Sequence, residues 1–129
     1  MHKEELLSLA DFIIESIKII KRRFDSIKTP DDFYANDRNL DLFDAICMRL
    51  QAIGESIKGI NKIDNLLLLK FGDKNYWSSI IKMREIISHR YIDIDAEIVF
   101  DICRNEMDKL LIKSEAIMKS LETEGQTGE

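Results

Sequence analysis

Apolar residues recur three and four positions apart along nearly the whole chain, and this periodicity constrains the fold more than any other feature. From about Lys3 to Phe24 the apolar positions are Leu6, Leu9, Ile13, Ile17, Ile20 and Phe24, one stripe down an amphipathic helix. Thr29-Pro30-Asp31-Asp32 reads as a helix start, with a hydroxyl cap, Pro in the first turn and acids at the positive dipole end. That helix is expected to be short, because Asn36-Asp37 supplies a second cap. A long helix then runs to about Ile60, with Leu40, Phe43, Ile46, Cys47, Leu50, Ile53 and Ile57 on one face. Gly54 lies inside it at a cost of about 1 kcal/mol relative to Ala, as expected where a second helix comes close.

Leu66 to Phe71 is expected to form a short third helix closed by Gly72-Asp73. A fourth helix begins near Asn75 or Tyr76 with a stripe of Trp77, Ile80, Ile81, Arg84, Ile87, Ser88 and Tyr91. Ile92-Asp93-Ile94-Asp95 ends it. A last helix spans about Asp95 to Leu121, with Ile98, Ile102, Met107, Leu110, Leu111, Ile117 and Leu121 in a stripe with some slippage. Only one Pro and five Gly interrupt 129 residues, and no alternating strand pattern is present. The expected fold is therefore all-α, an up-and-down bundle of four to five helices in one domain over residues 1–121. Residues 122–129, polar and Gly-containing, are expected to form a disordered tail.

The formal net charge of −5 argues against a general nucleic-acid coat, which needs excess Lys and Arg for phosphates. It leaves room for a nucleic-acid enzyme with a few local cations. Lys21-Arg22-Arg23 is first of all a dipole-matched helix end, with an RNA-facing patch as the alternative. Cys47 and Cys103 stand far apart in apolar stretches, as buried free thiols of a reducing compartment do. The first residues lack the layout of a secretory signal, and the longest apolar run, Leu66 to Leu69, is too short to span a membrane. A soluble, cytoplasmic protein is the expectation. Phosphate loops, zinc spacing and Ser-His-Asp order are absent, so no cofactor or metal is expected.

Chemistry concentrates in the run Arg84-Glu-Ile-Ile-Ser-His89-Arg-Tyr91. Arg84 takes a place where the stripe asks for an apolar residue, so its guanidinium needs a carboxylate, a partner chain or an anion. His89 is five residues on, about 140° around an α-helix, and the two side chains do not stack on one face. They converge only if the helix loosens near its end or if two copies meet. Together they suit metal-free RNA cleavage. His can serve as base towards a 2′-hydroxyl or acid towards the leaving oxygen. Arg offers a permanently charged fork for the charge that builds on the phosphate. The residues also admit a purely structural reading: Arg84 as an ion-pair partner of Glu55 or another core-facing acid, His89 as a helix-flank residue, Tyr91 as a packing anchor.

Arg84-x4-His89-x-Tyr91 resembles the signature of the HEPN toxins in toxin–antitoxin pairs with a minimal nucleotidyltransferase. Ile53-Gly54-Glu55 is similar to the Ile-Gly-Glu that closes a long helix in that family. Trp77, Ile80 or Ile81, then Met83-Arg84, resembles its approach to the motif. The resemblance covers about Phe33 to Leu111. It implies a homodimeric ribonuclease of the type VII kind, with Arg84 and His89 of both copies lining one cleft. It further implies an antitoxin that transfers AMP from ATP to the motif tyrosine, here Tyr91, blocking RNA by volume and charge. Many members carry Asn after the motif Arg, where this chain has Glu85. Glu85 can pair with His89 one turn on and orient the imidazole, or repel substrate phosphate. Ser88 sits beside the pair as a further polar candidate. The competing reading is a catalytically silent HEPN module for dimerisation or nucleotide sensing. A di-iron bundle fails, because Glu-x-x-His pairs are missing.

Overall fold

A computed structural model describes residues 2–89 and 94–127 of the chain. Five α-helices carry the fold: α1 (Lys3–Phe24), α2 (Asp37–Ile63), α3 (Lys74–His89), α4 (Ala96–Asn105) and α5 (Met107–Thr127). Short 3-10 turns occupy Pro30–Tyr34 and Leu68–Lys70, and no strand occurs among the described residues. The protein is an all-α bundle.

The stripes of α1 and α2 meet in the centre. Ile13, Ile17 and Ile20 from α1 and Ile46, Leu50, Ile53 and Ile57 from α2 are all but fully buried. Each such side chain stabilises the fold by about 1.5–3 kcal/mol over an exposed one. The two helices run antiparallel, because Leu9 meets Gly59 at one end while Ser16 bonds Arg49 further along. Helix α3 packs on α2, α5 packs on α1, and α4 rests on the Pro30–Tyr34 turn and on α5. No helix among the described residues is long and apolar enough to cross a membrane.

Side-chain oxygens mark the helix starts. Asn36 Oδ1 accepts from Asn39 N at 2.8 Å to open α2, and Asp73 Oδ1 accepts from Tyr76 N at 2.8 Å to open α3. Asp73, expected to close a third helix, therefore begins the next one. The expected helix over Leu66 to Phe71 is only the 3-10 turn Leu68–Lys70. Asp64 Oδ1 accepts from Leu66 N and Leu67 N, and this local turn competes with helical hydrogen bonding. Ahead of α2, Asp32 Oδ2 accepts from the backbone N–H groups of Lys28 and Thr29, which lowers its pKa.

The last expected helix divides at Glu106 into α4 and α5. Its buried face is shifted by one position over α4, while Met107, Leu110, Ile117 and Leu121 of α5 are buried as expected. Val99, Phe100 and Cys103 point inward, Ile98 is exposed and Ile102 is half-buried. With Ala96, Met107, Leu110, Ser114, Ile117 and Leu121 the buried positions form an unbroken three-and-four series. A buried cysteine and a buried serine stand in that series, which hid it behind two isoleucines one position away. Leu40 on α2 is likewise exposed. Helix α5 continues past Leu121, where the apolar series ends, to Thr127.

Candidate active site

The site candidate grows from the crossing of α2 and α3, which also run antiparallel. Ile53, Gly54 and Glu55 are successive residues, so they fan out by about 100° per step around α2. Ile53 points into the core and is fully buried. Gly54 faces α3, and a Cβ there would stand 2.7 Å from Arg84 Cβ and 3.3 Å from Arg84 N. Only the absence of a side chain lets the two backbones approach this closely. Glu55 comes out at the edge of the contact and accepts a hydrogen bond from Arg84 Nε in an ion pair.

Arg84 is thus neither a core residue nor a free surface cation. Its side chain is 26% exposed and that of Glu55 is 56% exposed. The apolar role expected at its position falls to its neighbour Met83, which is buried with Trp77, Ile80 and Ile87. The carboxylate that the guanidinium required is the one the structural reading named. A pair this open contributes at most about 1 kcal/mol to folding, so its main effect is to hold the guanidinium in place.

Helix α3 stays α-helical through His89. The 140° phase difference from Arg84 therefore persists, and no loosening of the backbone removes it before that residue. Glu85 is exposed and has an interaction partner of its own. The side chains of Ser88 and His89, and Tyr91 altogether, lie outside the described residues, as does the expected Glu85–His89 pairing.

Below the last turns of α3 lies a cavity of about 330 Å³ that the sequence reading missed, lined by Ile87 with Asp41, Asp44, Cys47, Met48 and Gln51 of α2. Its rim is acidic, and Met48 is 74% exposed there. The signal was available: Asp41, Asp44, Met48, Gln51 and Glu55 recur at three and four on the face flanking the core stripe. Burial, then the nearby Asp44 charge, pushes the Cys47 thiol up to about 12, so it is no nucleophile at neutral pH. Cys103 is pushed up to about 12 by burial first and Cys47 second, and both cysteines are free. Among the described residues no three His, Cys, Asp or Glu side chains converge as a metal site would require. A second missed contact joins α1 to α2, where Arg49 bonds the buried Ser16 hydroxyl at 3.3 Å and lies over the Phe12 ring.

Comparison with known proteins bears on this geometry. A Methanocaldococcus jannaschii protein, named as a gamma-glutamylcyclotransferase and candidate RNase, is 31% identical over 113 residues. The match takes in 85% of this chain but only 45% of that relative's length. No solved structure matches significantly. Residues 13–117 match the family described as ribonuclease HepT-like, a stretch that holds the α2–α3 crossing and the whole Arg84 to Tyr91 run. The chain belongs to the HepT-like ribonuclease family.

Proposed function

We propose that the protein is a metal-independent endoribonuclease toxin of a type VII-like toxin–antitoxin pair, working without a cofactor in the cytoplasm. Its site is shared by two copies of the chain, each contributing Arg84 and His89. The observation that carries this reading is the mounting of Arg84. A guanidinium held at a tight helix crossing through Nε keeps its terminal nitrogens for an incoming phosphate. Such pre-positioning suits a charge that develops only in the transition state.

In this mechanism His89 of one copy takes the proton of the 2′-hydroxyl as that oxygen attacks the adjacent phosphorus. The bond from phosphorus to the 5′-oxygen breaks, and His89 of the other copy protonates the leaving oxygen. The products are a 2′,3′-cyclic phosphate and a free 5′-hydroxyl. Arg84 stabilises the charge on the non-bridging oxygens. Two copies answer the 140° problem, since the His of one chain can face the Arg of the other. Neutralisation follows from a minimal nucleotidyltransferase antitoxin that joins AMP to the Tyr91 hydroxyl and places anionic bulk near Arg84. Glu85 and Ser88 support the imidazole.

The second reading, a silent module for dimerisation or nucleotide sensing, draws on the charge around the site. Glu55 already answers Arg84, and Asp41 and Asp44 lie along the same side of α2. Expression of wild type, Arg84→Ala and His89→Ala at matched soluble level separates the two. Growth arrest with RNA loss in the wild type alone is expected, with both variants folded. Intact RNA in every strain from folded protein leaves the silent module.

A further inference from the structure

One cavity lies at the edge of the core and outside the Arg84 to Tyr91 run. It opens where the end of α2, the Leu68–Lys70 turn and the start of α3 meet, and measures about 360 Å³, within the range of small-ligand pockets. Trp77, 3% exposed, forms its floor and is locked by donating Nε1–H to Leu68 O at 2.7 Å. Leu69 and Ile81 stand as apolar walls. The rim is polar: Asn61 from α2, Asn65 from the turn that follows it, Ser78 and Lys74 from α3. Among the described residues nothing hydrogen-bonds these four side chains, so the amides, the hydroxyl and the ammonium are all available to a ligand.

Its place on α3 matters as much as its lining. Ser78, Ile81 and Arg84 lie three residues apart, so Ile81 stands about 60° around α3 from each of the other two. Along the axis, Ile81 is about 4.5 Å and Ser78 about 9 Å from Arg84. We propose that this cavity is a nucleobase subsite of the ribonuclease: it takes one unstacked base of single-stranded RNA next to the phosphate held by Arg84. The proposal rests on the ribonuclease reading above and adds to it a point of base selection.

The chemistry matches a flipped base better than an aliphatic side chain. Bases extruded from a strand are held between apolar or aromatic walls and read at their edges by side-chain amides. Leu69 and Ile81 supply the walls, and Asn61 and Asn65 carry both donors and acceptors for the edge. Lys74 adds a cation about 15 Å from Arg84 along α3, where a phosphate further along the strand can be met. In a chain of net charge −5, Lys74 on the rim is a local cation for a polyanion, with the Glu55-paired Arg84 further along α3.

Trp77 is the protein's single tryptophan and a built-in probe. Fluorescein-labelled 2′-O-methyl trinucleotides of each base, resistant to cleavage through the 2′-oxygen, would be titrated into the full chain. Trp77 emission and label anisotropy would be read together. At least one trinucleotide is expected to shift emission saturably in step with anisotropy. Its counterpart with an abasic centre should bind about tenfold more weakly. Ser78→Leu, which fills the cavity from an exposed helix position, should weaken binding by a similar factor without changing thermal stability or mass by light scattering. Asn65→Ala should narrow the differences among the four bases. If the wild type cleaves RNA but emission stays still and Ser78→Leu binds normally, the subsite is overturned and the ribonuclease stands. If RNA is neither bound nor cleaved, both fall. A change of oligomeric state in Ser78→Leu overturns the subsite too, by making the cavity part of a contact between copies.

Discussion

Gly54 shows how one missing methyl group positions a charged side chain. A Cβ at this place meets Arg84 Cβ and backbone, not the mobile end of a side chain, so α3 itself must move. Gly54→Ala gains about 1 kcal/mol of helix propensity. The overpacking nevertheless costs about 1–3 kcal/mol, and a net loss of stability is expected. Urea unfolding measures it, and a variant as stable as wild type would mean the helices are not in tight contact. RNA cleavage should fall together with stability, since Arg84 moves with the backbone.

The cysteines make a second prediction at this scale. Burial holds both thiols near 12, and burial followed by the Glu106 charge holds the Tyr76 hydroxyl near 12 as well. In the unfolded chain a thiol releases its proton at about 8.5 and a phenol at about 10. The folded state therefore binds more protons than the unfolded state across that window. Stability is complete below about pH 8.5 and is lost as pH rises towards 12. Melting temperatures at a series of pH values from neutral to strongly alkaline should fall progressively. A flat series contradicts the burial of these groups.

At the scale of elements, caps decided where helices begin, and most were legible. Asn36 was named as a cap and is one. Asn36→Ala should cost about 0.5–2 kcal/mol, loosening the start of the helix that carries Gly54 and Glu55. Thermal unfolding tests this, and an unchanged midpoint would show that Asn39 N finds another acceptor. The Leu66 to Phe71 segment was overread, because four leucines look like a helix until the Asp64 carboxylate is seen to take their first amides. The α4 stripe is shifted for a related reason. Ile98 and Ile102 are its large aliphatic residues, whereas burial takes Val99 and Cys103 and leaves Ile98 exposed.

For the molecule as a whole, the site proposed above requires a second copy. Light scattering at tens of micromolar should give twice the 15.0 kDa chain mass. A stable monomer at that concentration would remove the basis for convergence of Arg84 and His89. Mixing Arg84→Ala with His89→Ala chains offers a sharper check. A mixed dimer holds a single His89, so cleavage should stay absent, and any regain would show that one histidine suffices and overturn the paired acid and base.

What the sequence determined by itself was local and periodic: four amphipathic stretches, hence an all-α bundle, and a motif whose Arg stood out against its stripe. These were legible because helical spacing and capping depend on residues within one or two turns. The motif's family likeness came from the same short range. Which carboxylate meets Arg84 was readable only as one option among several, since Glu55 lies 29 residues away. Tertiary structure decided that pairing, the acidic cavity beside Ile87 and the Trp77 cavity. Each depends on how closely two helices pack and with what rotation about their axes. That is settled by the fit of whole surfaces, here by the one residue, Gly54, with no side chain to hold them apart.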